Sequence, residues 1–170
     1  MGSSLPPFTL AIEPLTAAGF APFGDVVDAD PARREAMNGG TFERFNDLAR
    51  VDVDPGRTRV GIARALRATL LPHTFDLVER HPLGSQAFIP LARFAFVVVV
   101  APPGETVRPE DLHAFITDGT QGVNYARGIW HLPLVALEPE QAFLVIDRGE
   151  ASLPNCDELR LGRPVSLVRA

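Results

Sequence analysis

The sequence predicts a mainly β protein, built as a barrel with one or two short helices. Three observations carry that expectation. Sixteen prolines and fourteen glycines, spread along 170 residues, cut the chain into short pieces. Few windows sustain the 3.6-residue apolar periodicity of a helix. Short runs rich in Val, Ile and Phe recur between these breakers, at a spacing that suits a sandwich or barrel better than alternating strand–helix–strand units.

In chain order, residues 16–19 are expected to form a helical turn, closing where Gly19 takes a left-handed conformation. Strands are expected at 41–45, around Phe42 and Phe45, and at 60–66, around Ile62. Residues 87–91 and 94–101 are a pair of apolar runs separated by Ala92-Arg93. The second is too short and too rich in valine for a helix, and reads as a strand buried on both faces. A second helix is expected from Pro109, with Glu110 and Asp111 offsetting the dipole in its first turn. Its apolar face would be Leu112, Phe115 and Ile116, and it would end before Gly119. Strands at 142–147 and 165–168 complete the set. No internal repeat, heptad pattern or low-complexity tract is present.

At 18.4 kDa the chain is expected to be one domain spanning residues 1–170. With 46% hydrophobic and 22% charged residues, extensive disorder is excluded. A net charge of −5 and a pI near 5.3 argue against nucleic acid or an anionic membrane as partner. All sixteen basic residues are arginine, which excludes lysine Schiff-base chemistry and a P-loop. Arginine is therefore the only side chain that offers an anion a fixed positive charge. The single cysteine, Cys156, excludes an intrachain disulfide and a cysteine-rich zinc site. The apolar stretch 94–101 is far short of the roughly 20 residues that span a bilayer. Residues 1–10 lack the charged and apolar regions of a signal peptide. A soluble, cytoplasmic protein is expected.

Chemistry concentrates in two segments. Of the four histidines, His113 falls in the expected helix and His73 follows Pro72 in a loop signal, so both read as surface. Residues 77–90 read L-V-E-R-H-P-L-G-S-Q-A-F-I-P and place Glu79, His81 and Gln86 at i, i+2 and i+7. On a strand, Glu79 and His81 point to the same side. After the turn at Pro82-Leu83-Gly84, Gln86 is expected to return on the paired strand. Residues 122–133 read G-V-N-Y-A-R-G-I-W-H-L-P, gathering Asn124, Tyr125, Arg127, Trp130 and His131. Convergent polar groups against an aromatic wall are what a small-molecule pocket needs.

Together the two segments resemble the motifs of the cupin superfamily. The first cupin motif carries two histidines and a glutamate at i, i+2 and i+7, here Glu79, His81 and Gln86. The second carries P-x-G-x-x-H, matched by Gly128-Ile129-Trp130-His131 with Ala126 in place of proline. Longer strings resemble the ureidoglycolate lyase family, formerly also described as ureidoglycolate hydrolase. They are E-R-H-P-L-G-S-Q-A-F-I-P-L, F-V-V-V-V-A, A-F-I-T-D-G-T-Q-G-V-N-Y-A-R-G-I-W-H-L-P-L and D-R-G, and the likeness covers most of residues 8–157.

That resemblance implies a jelly-roll cupin barrel with the ligand inside it, a homodimer, and cleavage of (S)-ureidoglycolate to glyoxylate and urea in allantoin and purine degradation, a route of nitrogen utilisation. Cleavage needs a base for the hydroxyl proton, an acid for the departing urea nitrogen, and a hold on the carboxylate. His81 and His131 are the expected proton-transfer groups, with Glu79 orienting His81 or acting as base. Arg127, Arg44, Arg64 and Arg148 are candidates for the carboxylate. Gln86 and Asn124 suit the urea end, and Tyr125 or Trp130 would wall the pocket. Glu79, His81 and His131 are also candidate ligands for a divalent metal, and the sequence leaves open whether a metal or no cofactor is used. Hydrolysis with release of ammonia, another metal-dependent cupin reaction, and a non-catalytic carboxylate sensor stay open as alternatives.

Overall fold

The computed structural model describes residues 5–149 and 153–170, so the first four residues of the N-terminal stretch lie outside it. In chain order the strands are β1 Phe8–Pro14, β2 Gly24–Val27, β3 Arg34–Met37, β4 Phe42–Phe45, β5 Thr58–Arg64, β6 His73–Arg80 and β7 Gln86–Pro90. They continue as β8 Phe96–Ala101, β9 His113–Ile116, β10 Gly122–Tyr125, β11 Trp130–His131, β12 Val135–Ala136, β13 Ala142–Arg148 and β14 Asp157–Arg169. One short helix, α1 Ala17–Phe20, follows β1.

Six strands close into a ring in the order β11-β6-β14-β1-β9-β8, because β8 pairs back onto β11. Apolar side chains fill its interior, among them Ile12, Val78, Val97, Val99, Trp130, Val165 and Leu167. A second sheet, β2-β10-β7-β13-β5, packs against the outside of the ring where β8 and β9 pass. The layer between them holds Phe20, Phe96, Val98, Val100, Phe115, Val123, Tyr125 and Phe143. Every residue of β8 is thus buried, the even-numbered ones against the second sheet and the odd-numbered ones in the ring. This is the strand buried on both faces that its unbroken valine run predicts. The whole is a mainly β, cupin-like barrel.

Four local expectations are corrected. The helix expected from Pro109 is a single 3₁₀ turn, Pro109–Asp111, after which the chain extends as β9. Leu112, Ala114 and Ile116 all face the ring core, whereas Phe115 faces the second sheet. The true period is two, and the small side chain at Ala114 hides it behind a helical i, i+3, i+4 spacing. His113 is exposed as expected, but on this strand, and His73 opens β6 instead of lying in a loop. The helical turn ends at Phe20, not at a left-handed Gly19. Gly19 instead lies inside the turn, where its N–H donates to the capping Thr16 Oγ1 at 3.0 Å.

The fourth correction bears on the site. β6 and β7 are not partners, since β6 lies in the ring between β11 and β14, and β7 lies between β10 and β13. The turn between them carries the chain from one sheet to the other. It is held by Ser85 N–H donating to Asp52 O (2.7 Å) and Leu83 N–H donating to Asn155 Oδ1 (2.7 Å). Gln86 therefore faces Glu79 and His81 across the gap between sheets, not along one sheet.

Phe143 anchors the interlayer core, with edge-on contacts to Phe88, Phe94 and Phe96. Phe143→Ala is expected to cost about 3–5 kcal/mol in urea denaturation. Ile62→Ala, on the outer face of edge strand β5 and 71% exposed, is expected to stay within about 0.5 kcal/mol. Equal losses at the two positions would contradict this placement of the core.

Candidate functional site

The short strand β11 sets the site. Its His131 stands opposite Glu79 of β6 on one side and Val100 of β8 on the other. Val78 and Trp130 fill the ring, so strand alternation turns Glu79 and His131 outward, towards the second sheet. His81 lies just past the end of β6. The ligand-capable atoms of Glu79, His81 and His131 all lie within 4.8 Å of one another. The rings of His81 and His131 are 5.1 Å apart, and Tyr125 of β10 stacks on His131 at 4.6 Å and 25°. The cluster thus sits between the two layers and not inside the closed ring, which is full.

Hydrogen-bond partners define the polarity of each group. His131 is 2% exposed, and its Nδ1 donates to Ile129 O at 3.0 Å. Its Nε2 is then the acceptor end. That nitrogen is 3.5 Å from Glu79 Oε1, an ion-pair contact when it is protonated, and has no other partner among the described residues. A single proton shared between them would satisfy both. A proton on His131 Nε2, donated towards Glu79, holds the Glu79 carboxyl below the usual glutamate range; partial burial opposes this, and His81 and the Cys156 thiol, 3.7 Å from Glu79 Oε2, add to it. Burial and the neighbouring Glu79 push the Cys156 thiol up, so it remains a thiol and a donor.

His81 is oriented differently. Its Nδ1 lies 2.6 Å from Asn155 O and its Nε2 lies 3.1 Å from Gln86 Oε1. Both oxygens only accept, so each calls for a hydrogen on the ring nitrogen that faces it. The Gln86 amide nitrogen points the other way, to Asp147 Oδ2 at 3.4 Å. The Tyr125 hydroxyl is buried with no hydrogen-bond partner among the described residues, and burial beside Glu79 pushes the phenol well above its usual range, so it stays a neutral donor.

Not every residue singled out in the sequence joins this cluster. Tyr125 and Gln86 do, whereas Asn124, adjacent on β10, points to the other face, where it donates to Asp25 Oδ2 (2.9 Å) and Arg50 O (3.0 Å). Arg127 forks onto Asp52 at 3.0 and 2.7 Å. Asn124, Arg127, Arg50 and Asp52 line a separate cleft of about 340 Å³. Trp130 is not a pocket wall: it packs in the ring, donates to Gly104 O at 2.9 Å and lies under the Arg80 guanidinium. Arg64 pairs with Glu140 and stands opposite Ala142, roughly 17 Å along β13 from Asp147. Arg44 is exposed on the β3–β4 hairpin, opposite Glu35. Arg148 is buried beside Asp147, its Nε donating to Pro55 O at 2.7 Å.

Sequence reasoning missed Asp147, Arg59, Asn155 and Cys156. Asp147 lies in the D-R-G string, which was the one signal available. The others reach the cluster only through strand pairing across more than 70 residues.

The cluster also fits a divalent cation. Three donor groups lie within 4.8 Å, and among the described residues His131 Nε2 is buried with no hydrogen-bond partner. His81 would complete such a set by releasing one of its two acceptors.

A family model described as ureidoglycolate lyase matches residues 7–168. Among curated relatives, one from Burkholderia cepacia named ureidoglycolate lyase is 52% identical over 155 residues, 89% of this chain and 86% of the relative. One of the same name from Azotobacter vinelandii is 47% identical over 163 residues, covering 94% and 96%. A third, from Burkholderia mallei, is 51% identical over 143 residues, covering 83% of each. This chain belongs to the ureidoglycolate lyase family.

Proposed function

We propose that this protein cleaves (S)-ureidoglycolate to glyoxylate and urea, and that Glu79, His131 and His81 carry the proton transfers. The observation that supports these roles is the contrast between two histidines 5.1 Å apart, one with its buried Nε2 beside a carboxylate and the other with both ring nitrogens facing acceptor oxygens.

The substrate carries hydroxyl, carboxylate and ureido nitrogen on one carbon. As the C–N bond breaks, the hydroxyl oxygen becomes the aldehyde oxygen and gives up its proton, while the departing nitrogen takes one. The gap between Glu79 Oε1 and His131 Nε2 suits the first transfer, since a proton placed there gains two acceptors at once. His81 suits the second, with a hydrogen directed into the gap between the sheets. The Tyr125 hydroxyl and the Gln86 carboxamide supply neutral contacts for the carboxylate and ureido groups. Arg148 is the sequence candidate for the carboxylate that stands nearest this end of β13. A divalent metal held by Glu79, His81 and His131 would, when bound, supply Lewis-acid polarisation of a substrate oxygen. The reading extends to a cytoplasmic homodimer acting on this small molecule in allantoin degradation, without nucleic acid or membrane as partner. Among the described residues no helix is long and apolar enough to cross a membrane.

Purified protein mixed with fresh (S)-ureidoglycolate is expected to release glyoxylate and urea in equal amounts without ammonia. Ammonia in place of urea would mean hydrolysis, and glyoxylate binding without turnover would mean a binding module. Glu79→Gln and His131→Gln are each expected to lower kcat by about 10²–10⁴-fold with the fold intact. Retained cleavage in a Gln86→Ala, His131→Ala double variant would overturn these roles.

Acid stability gives a separate check. The Glu79 carboxyl is lower in the folded protein than in the unfolded chain. Its contribution to stability is therefore complete above the ordinary glutamate value of about 4.3 and is lost as pH falls through the lower folded value. Urea denaturation of Glu79→Gln is expected to show a shallower loss of stability than the parent from about pH 5 downwards. A parallel acid limb in the two proteins would contradict a lowered Glu79.

A further inference from the structure

We infer that Asp147, held by Arg59, is a positioning residue: it fixes the direction of the Gln86 carboxamide and, through it, the hydrogen-bonding polarity at His81. The inference rests on the reading that Glu79, His81 and His131 are the reacting groups.

The residues form a row across three neighbouring strands of the second sheet. Arg59 of β5 stands directly opposite Asp147 of β13, and β13 pairs on its other side with β7, which begins at Gln86. Arg59 Nε and one terminal nitrogen donate to the two Asp147 oxygens, each at 2.8 Å. Asp147 is 9% exposed, whereas most of the Arg59 side chain is in solvent. A pair with one partner this exposed contributes little to stability. Its geometry has a more specific consequence.

A carboxylate gripped by a guanidinium fork can only accept. The remaining capacity of Asp147 Oδ2 is met by Gln86 Nε2 at 3.4 Å. A carboxamide has one donor end and one acceptor end, so committing the donor to Asp147 commits Oε1 to the other side. There it meets His81 Nε2 at 3.1 Å and requires that nitrogen to donate. Without Asp147 the amide can turn over and present its NH₂ group to His81, and the ring would lose the acceptor that holds its Nε2 hydrogen. Asp147 touches none of the three reacting groups in this arrangement, so its influence passes through Gln86.

The test is a double-mutant cycle on the full-length protein with Asp147→Leu, Gln86→Ala and the pair. Asp147→Leu is expected to lower kcat on the order of tenfold, with KM changed much less. The double variant is expected to be no slower than Gln86→Ala alone, because Asp147 acts through the amide that Gln86→Ala removes. Independent, multiplicative losses would overturn the inference, since a residue that merely supports the fold has no reason to spare the Gln86 variant. Nitrogen-15 NMR of the imidazoles without substrate gives the second readout. The His81 Nε2 signal is expected to show a bound hydrogen in the parent and to shift in Asp147→Leu, while His131 stays unchanged. An unshifted His81 would also overturn the inference. If Asp147→Leu does not fold, Arg59→Leu, which frees Asp147 to turn, takes its place with the same two readouts. A parent that shows the His81 signature but no turnover would refute the lyase reading and leave the positioning role standing.

Discussion

The two-residue strand Trp130–His131 joins fold and chemistry in one backbone interaction. Its pairing with Val100 and Ala101 on one side and Glu79 on the other closes the six-stranded ring. The same pairing places Glu79 and His131 side by side on the outer surface of that ring, because directly opposed residues of antiparallel strands share a face. Trp130 locks the strand from inside, packed in the ring core with its indole N–H on Gly104 O. The ring can therefore not shift register by one residue without moving an imidazole into an apolar core and an indole onto the site.

What the second sheet adds is polarity. The ring supplies a carboxylate and a lone pair that face each other, and the second sheet supplies groups that complete or oppose them. Tyr125 covers His131 face to face, and Gln86 turns its oxygen to His81. Asn155, from the segment before β14, receives His81 Nδ1 and holds the neighbouring turn through its side chain. Two histidines are thus given different surroundings, one beside a carboxylate and one between acceptor oxygens. The proposed roles use that difference, since in the proposed cleavage one proton leaves an oxygen and another reaches a nitrogen.

Much of this was legible in the sequence, and the failures have physical causes. The valine run 96–101 announces a strand covered on both sides because nothing polar interrupts it. Glu79, His81 and His131 stand out because titratable groups embedded in apolar, Gly- and Pro-bounded segments need a reason to be there. Asn124 and Trp130 lie away from the cluster on parity. Each is adjacent to a residue that does face the cluster, Tyr125 and His131, and a strand can present only one of two neighbours to a given side. Sequence identifies such a pair without saying which member points inward. The helix after Pro109 failed because Ala114 is too small to reveal the alternation of β9. The pairing of Arg59 with Asp147, which lies in the D-R-G string, was invisible for a different reason, since the two are 88 residues apart and meet only through strand register. Of the four arginines expected to hold a carboxylate, Arg127 and Arg64 pair with Asp52 and Glu140 and Arg44 stands on the β3–β4 hairpin, whereas Arg148 is buried next to Asp147, and only the fold reveals this.

The most direct measurement is a crystal structure of the protein with glyoxylate and urea bound together. The predicted result places the aldehyde oxygen of glyoxylate at the gap between Glu79 and His131, with a urea nitrogen within hydrogen-bond reach of His81. Both products lodged instead in the cleft of Asn124, Arg127 and Arg50, with the gap at Glu79 and His131 untouched, would contradict the assignment of the reacting groups.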